Sequence, residues 1–377
     1  MSIEALAEIS RFYGANPDYV IAGGGNTSFK DDQTLYIKGS GTFLADAVPE
    51  AFVKMDRKVL GRIWEKTYPA ESAAREKEVL ADLMAARKPG EEQKRPSVET
   101  ALHDLLPFKY VVHTHPAMVN GLTCSRQGKA AMEELFGNEA IWIPSINPGY
   151  ILSLNVKTAM DEYIAKYRKP VSIIFLQNHG VFVGADTVEG VKEIYRDIME
   201  RFGKKIKRKP DLSASSENGR VPGEYISVIK EICGGEAVFF SGKEISHFVK
   251  DISSFYPVSK AFTPDHIVYA GSDPLFSRAV STGGSRAGFS DTVSADWKAH
   301  LEKTGRPPKI LAVQVLGVFG LGATEKAAAL ALELFKDTVK VAVYTESFGG
   351  PRFMEQDQVD FINNWEVEAF RSRVSAG

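Results

Sequence analysis

Apolar positions recur at helical spacing over residues 2–13 and again over roughly 57–87, which predicts two amphipathic helices. Between them lie a loop of small residues, Ala22-Gly23-Gly24-Gly25-Asn26-Thr27-Ser28, and a short strand, Thr34-Leu35-Tyr36-Ile37. A second small-residue turn, Lys38-Gly39-Ser40-Gly41-Thr42, follows directly. Pro96-Ser97-Val98-Glu99 predicts the opening of a short helix, because Pro and Ser suit a helix start and an acid favours the first turn. The pattern then predicts a strand from Lys109 to His113, a helix from about 117, a strand near 139–143 and a helix over 153–168. A strand over Val171–Leu176, a tight turn at Asn178-His179-Gly180, a strand over Val181–Val183 and a helix over 187–202 complete this half.

The polar, small-residue stretch Pro210-Asp211-Leu212-Ser213-Ala214-Ser215-Ser216-Glu217-Asn218-Gly219 predicts a linker, with Pro222-Gly223 just beyond. The expected organisation is a first domain over 1–209, a linker over 210–221 and a second α/β domain over 222–377. The second half carries an echo of the first. Gln177-Asn178-His179-Gly180-Val181-Phe182-Val183-Gly184-Ala185 is matched by Gln314-Val315-Leu316-Gly317-Val318-Phe319-Gly320-Leu321-Gly322-Ala323, with one shift near the second glycine. Both segments follow an apolar strand and enter a helix, as expected of a degenerate repeat in which Leu316 replaces His179.

With 377 residues, 44% hydrophobic and 25% charged, the chain has material for a sizeable core and for two medium domains. A net charge of -2 and a pI near 6.4 leave no global basic field for nucleic acid or an anionic membrane. The one basic run, Lys204-Lys205-Ile206-Lys207-Arg208-Lys209, follows a predicted helix and is expected to be a solvated helix end. Two distant cysteines, Cys124 and Cys233, form no disulfide framework and fit a reducing compartment. The N-terminus has acids inside its apolar pattern, as an amphipathic helix does and a signal peptide does not. No run approaches the roughly 20 uninterrupted apolar residues of a membrane span, and a cytoplasmic location is expected.

Chemistry concentrates in a few residues. His113 and His115 end an apolar strand at positions i and i+2, so both imidazoles project from one face, and Pro116 closes the strand. Two imidazoles on a face are either a satisfied strand-end pair or two of the three protein ligands of a catalytic zinc site. His179, in its strand-to-strand turn beside Gly180, is placed to aim at the same point. Glu99, at a helix start, suits a proton-transfer base or a metal ligand, and equally a helix cap. His103 lies one turn after Glu99 on the same helix face, as a supporting residue or a plain helix residue. His247, His266 and His300 stand in unrelated contexts and are expected to be surface or packing residues. The two glycine-rich turns offer backbone N–H groups with little cover, suited to an anion such as phosphate. Neither is a dinucleotide fingerprint or a Walker loop, since no helix and no Gly-Lys-Ser/Thr follows as those require. Ser281-Thr282-Gly283-Gly284-Ser285-Arg286 is a further small-residue loop, either an anion nest or plain surface.

Five segments in order, Gly24-Gly25-Asn26-Thr27-Ser28, Gly39-Ser40-Gly41, Pro96-Ser97-Val98-Glu99, His113-Thr114-His115-Pro116 and Asn178-His179-Gly180, resemble the class II aldolase/adducin family. The resemblance covers about residues 1–205 and is greatest to the aldolase portion of long rhamnulose-1-phosphate aldolase/dehydrogenase proteins, without their dehydrogenase portion. It implies a three-layer α/β/α fold with a central, mainly antiparallel sheet. It implies that His113, His115 and His179 hold a divalent metal, Zn2+ or another, and that Glu99 is the acid/base. Gly25, Asn26, Ser40, Gly41 and Ser97 would hold a substrate phosphate. Where such aldolases often have a second serine just before the glutamate, this chain has Val98, which removes one phosphate donor. The tyrosine that they bring from a C-terminal tail has no assigned counterpart.

The chemistry so implied is cleavage of a ketose 1-phosphate, of rhamnulose or fuculose type, to dihydroxyacetone phosphate and an aldehyde. The metal stabilises the enediolate and Glu99 transfers the proton. A 4-epimerase or a decarboxylase on the same scaffold, and a non-catalytic adducin-like interaction module, are the rival readings. The expected partner is a small sugar phosphate, with no nucleic acid and no membrane. Family members are usually tetramers, so a homo-oligomer is expected, of lower order if the second half is a decayed repeat that covers part of the interface.

Overall fold

α1 (Ile3–Gly14) forms where the apolar spacing predicts it, with Leu6, Ala7, Ile9 and Tyr13 on its buried face and Ser2 capping it through the Ala5 amide. The structure, a computed structural model, describes residues 2–214, 223–279 and 285–365. The described residues form two units, one within Met1–Thr123 and Gly128–Lys205, the other within Cys124–Gln127 and Ile206–Asn363. Positions 215–221 of the expected linker lie outside the described residues, as do 281–284 of the loop before Arg286.

The first unit continues with β1 (Asn26–Lys30), β2 (Thr34–Lys38), β3 (Phe52–Asp56), α2 (Arg57–Gly61), α3 (Ser72–Ala85), α4 (Thr100–Leu105) and β4 (Tyr110–Thr114). Next come α5 (Ala117–Thr123), α6 (Gly128–Phe136), β5 (Ala140–Ile143), α7 (Tyr150–Tyr167), β6 (Ile173–Leu176), β7 (Gly180–Ala185) and α8 (Val188–Gly203). The long helix expected over 57–87 is two helices instead. The first ends at Gly61 and tightens into a 3-10 turn over Arg62–Glu65, and Glu71 starts the second by accepting from the Ala73 and Ala74 amides. The sequence pattern does not predict β1, because its residues, Asn-Thr-Ser-Phe-Lys, are mostly polar, although all but Phe29 are buried. Nor does it predict β3 or α6.

These strands lie in one sheet, in the order β3-β2-β1-β4-β7-β6-β5, antiparallel at every step except β5 beside β6. Alternation along the strands assigns the two faces. Thr27 bonds Ser10 of α1 at 2.6 Å and Thr114 donates to Tyr195 of α8 at 2.8 Å, so α1 and α8 share a face. Val111 and Phe182 face the other way, packing with Leu102 and Leu106 around α4 and with Leu152, Val156 and Met160 of α7. The expected α/β/α layering with a mainly antiparallel sheet is therefore present.

The second unit contains α9 (Gly223–Cys233), β8 (Glu236–Phe240), α10 (Lys243–Phe248), α11 (Ile252–Phe255), β9 (Leu275–Ser277), α12 (Arg286–Thr304), β10 (Ile310–Val313), β11 (Gly317–Gly322), α13 (Glu325–Thr345) and α14 (Gln356–Asn364). Its sheet runs β8-β11-β10-β9 with the pairing senses of β4-β7-β6-β5: antiparallel, antiparallel, parallel. The match extends to individual bonds. His179 N–H donates to Leu176 and Leu316 N–H to Val313, while Asn178 N–H donates to Thr123 and Val315 N–H to Val249. Asn178 and Val315 both have left-handed φ, 58° and 65°. Thr187 and Thr324 cap the helices that follow, α8 and α13. The two segments thus align without the shift that the sequence comparison required. Aligned by strand register, Phe239, Ser241 and Leu316 stand where His113, His115 and His179 stand in the first unit.

The basic run, expected to be a solvated helix end, has three of its five cations in ion pairs among the described residues. Lys204 pairs with Glu200 at 2.9 Å, Lys205 with Glu134 at 2.6 Å, and Arg208 with Glu244 and Glu346 at 2.7 Å. Among the described residues no helix is long and apolar enough to cross a membrane.

Candidate metal centre

β4 delivers His113 on the α4 face of the sheet, and His115 follows just beyond the strand end with its side chain on the same side. Their Nε2 atoms lie 2.9 Å apart. His179 arrives from the β6–β7 turn, its Nε2 3.4 Å from that of His113. The left-handed residue of this turn is Asn178, so Gly180 is needed for a different reason than backbone relief. A Cβ on Gly180 would sit 2.5 Å from the Thr114 carbonyl oxygen and 2.7 Å from the His115 ring. The small residue lets the turn close against both histidines.

His113 is fully buried and its ring stacks on Phe182 with centroids 4.0 Å apart. Its Nδ1–H donates to the Val181 carbonyl at 3.0 Å, which fixes the neutral tautomer and turns the Nε2 lone pair toward the other two rings. Among the described residues, His113, His115 and His179 form a group whose ligand atoms all lie within 4.8 Å of one another. His113 is sealed from solvent while His115 and His179 are partly exposed, which leaves the cluster open on one side.

Glu99 stands at the start of α4 but does not cap it: its side chain makes no hydrogen bond to the first turn. Its Oε2 accepts from Asn26 Nδ2 at 2.5 Å. Its Oε1 is buried and has no hydrogen-bond partner among the described residues, and it lies 3.6 Å from His113 Nε2 and 3.9 Å from His179 Nε2. A buried carboxylate oxygen left unbonded beside three convergent imidazoles is costly unless a cation or a proton occupies the space between them. Three nitrogens, a fixed tautomer and an open fourth side fit a divalent metal of the zinc type.

The loop residues expected to hold an anion gather beside this centre. Asn26 is the direct register partner of His113 across the β1–β4 ladder. Gly25, at φ 64°, comes so close to β4 that a Cβ would lie 2.7 Å from the His113 carbonyl oxygen. Gly39 bridges to Pro96, and the Ser40 amide donates to Arg95, which ties the second turn to the segment leading into Ser97 and Glu99. The amides of Gly24 and Thr42 are also bonded, to Ile21 and Gly39, so less of the loops' N–H capacity faces outward than glycine content suggests. Ser97 Oγ accepts from the Glu99 amide at 3.2 Å.

His103, expected as a supporting or plain helix residue, is joined by two β1 side chains to which the sequence reading gave no role, Ser28 and Lys30. Ser28 Oγ contacts His103 Nδ1 at 2.8 Å, and Lys30 donates to the His103 carbonyl. The signal was present in the alternation Asn26, Ser28, Lys30, three polar side chains on one face of a strand. Burial, with His113 and Lys30 nearby, holds the His103 imidazole well below the usual histidine range and so neutral. The second-half histidines stay apart from any such cluster. His266 is buried against Asp337 at 3.0 Å, His247 is exposed and His300 is half-buried.

In comparison with known proteins, the sequence profile described as Class II Aldolase and Adducin N-terminal domain matches residues 4–198. The uncharacterized oxidoreductase YuxG of Bacillus subtilis strain 168 is 28% identical over 198 residues, which is 50% of this chain and only 27% of that protein's length. Among solved structures, the N-terminal class II aldolase domain of a conserved protein from Thermoplasma acidophilum is 26% identical, with a TM-score of 0.46 over 55% of this chain and 94% of that one. The l-fuculose-1-phosphate aldolase of Thermus thermophilus is 17% identical, with a TM-score of 0.33 over 53% of this chain and 88% of that one.

Proposed function

The chain belongs to the class II aldolase and adducin family, and from that premise we propose that it is a metal-dependent aldolase that cleaves a ketose 1-phosphate to dihydroxyacetone phosphate and an aldehyde. The observation that carries this reading is the unbonded Glu99 Oε1 facing the Nε2 atoms of His113 and His179 at 3.6 and 3.9 Å. A divalent cation held by His113, His115 and His179 would act as a Lewis acid on the substrate's carbonyl and neighbouring hydroxyl.

The chain's own residues do the rest. Glu99 Oε1 exchanges a proton with the substrate carbon that becomes the enediolate carbon when C3–C4 breaks, which requires hydrogen-bond reach and a buried setting. Gly25, Ser40, Gly41 and Ser97, with Asn26 beside them, form the anion-binding end, where backbone N–H and hydroxyl groups suit a phosphate. Val98 contributes no donor to it, so phosphate recognition rests on the two glycine turns and Ser97. A non-catalytic interaction module has no use for a buried carboxylate aimed at three imidazoles, which sets that reading below the enzyme.

The test is elemental analysis of the wild type and His113→Ala, alongside cleavage of rhamnulose and fuculose 1-phosphates and of the unphosphorylated sugars. The expected result is about one divalent metal per chain, lost in the variant together with cleavage. Metal without cleavage of any of these sugars would overturn the aldolase reading and move the same centre to epimerase or decarboxylase chemistry. A wild type that binds no divalent metal would remove the catalytic reading altogether.

A further inference from the structure

β1 presents Asn26, Ser28 and Lys30 to α4, and they direct their hydrogen bonds at Ser97 and Glu99 before the helix, at His103, and at the helix's last carbonyls. Their directions can be worked out. The neutral His103 ring carries a single N–H. Asn26 is oriented by Glu99: its Nδ2 donates to Oε2 at 2.5 Å, so its Oδ1 is the atom that meets His103 Nε2. An amide oxygen only accepts, so the imidazole proton sits on Nε2. Nδ1 is then an acceptor, and the Ser28 hydroxyl, 2.8 Å away, donates to it.

Every bond runs the same way, from Ser28 to His103 to Asn26 to Glu99, and all four residues are buried. Aligned bonds of this kind polarise one another and strengthen the last one, onto the carboxylate. We propose that Ser28, His103 and Asn26 are positioning residues that hold Glu99 Oε2 as a permanent acceptor, so that Oε1 alone exchanges the substrate proton. This rests on Glu99 being the acid/base of the proposed reaction. In cleavage the Oε1–H bond breaks as a C–H bond forms at the enediolate carbon, whose electron pair makes the new bond. The O–H pair stays on Oε1, and the resulting carboxylate is already held by Asn26. Both N–H groups of the Asn26 amide are thereby used, one on Glu99 and one on the Ser97 hydroxyl oxygen at 3.3 Å, and not on a substrate phosphate.

The experiment compares zinc-loaded wild type with His103→Leu and His103→Gln, reading metal content, kcat and KM on the ketose 1-phosphate cleaved, and ¹⁵N-histidine spectra. Glutamine can place an amide N–H where Nε2–H stood, and leucine cannot. Expected are a neutral, Nε2-protonated His103 in the wild type and unchanged metal and KM in the leucine variant. Its kcat should fall about 10- to 100-fold, and glutamine should recover most of that loss. A proton on Nδ1, or a leucine variant with wild-type kcat, overturns the relay. If both variants fail to fold, the wild-type tautomer decides by itself. If the wild type cleaves no sugar phosphate, the function fails, while the tautomer still upholds or overturns the chain of bonds.

Discussion

Lys30 lies buried on β1, its ammonium against the His103 carbonyl at 2.5 Å and the Asp104 carbonyl at 3.3 Å, two acceptors that the end of α4 leaves unfilled. Burial pulls its pKa down to about 7, although Asp104 nearby pulls the other way. Below pH 7 both the folded and unfolded chains hold the proton, and the cost of burying the charge is fully present. Between 7 and the ordinary lysine value the unfolded chain binds more protons at this residue, so stability rises with pH. Lys30→Met should remove that dependence: the melting temperature of the wild type should gain on the variant's from pH 6.5 to 9.5. A gap that stays constant with pH would mean that Lys30 keeps its proton in the fold. Glu99, one turn ahead of His103 on the same segment, is buried in a different way, since one of its oxygens is bonded and the other has no hydrogen-bond partner among the described residues.

At the scale of elements, the β6–β7 and β10–β11 turns solve the same geometric problem with different residues. Asn178 suits the left-handed conformation, because its short polar side chain tolerates positive φ. Val315 does not: it is β-branched, stands at φ 65° and leaves 63% of its surface exposed. Strain of this kind costs on the order of 1–3 kcal/mol, and an exposed side chain offers little packing to offset it. Val315→Asn, which keeps the amide that donates to Val249, should therefore stabilise the protein by about 1 kcal/mol. That gain would raise the melting temperature by roughly 2–4 °C. A thermal scan showing no rise, or a fall, would locate a stabilising contact for Val315 that outweighs the strain. Gly180 and Gly317 share the second half of the problem. Each lets its turn close on a ring, His115 in the first unit and Phe239 in the second.

At the scale of the whole molecule, the four-stranded sheet of the second unit repeats the connectivity of β4–β7 in the first, but only the first has three histidines gathered at the end of β4 and in the turn before β7. The second has Phe239, Ser241 and Leu316 there, which supply no more than one hydroxyl. The expected stoichiometry is one divalent metal per chain, not two, as elemental analysis against protein concentration would read; a second equivalent would mean that the C-terminal unit has its own ligands. Much of this was legible in the sequence, because it rests on local rules. Period two puts His113 and His115 on one side of a strand. An apolar run broken by Asn-His-Gly marks a turn, and helical spacing marks α1, α7 and α8. The echo of residues 177–185 in the second half was also visible as a string of letters. Other features depend on what lies across the sheet, and local patterns do not carry that information. β1 reads as a polar loop because its Asn, Ser and Lys are satisfied by α4, more than 70 residues away. The break between α2 and α3 and the gapless register of the two matched turns follow from capping and strand pairing. Which oxygen of Glu99 is held and which is free is decided by Asn26, brought opposite it by the β1–β4 ladder and fixed by His103. Sequence determined which residues could do chemistry; their convergence, and the different surroundings of the two oxygens of one carboxylate, are products of tertiary contact, because hydrogen bonds between residues distant in the chain leave no periodic trace in it.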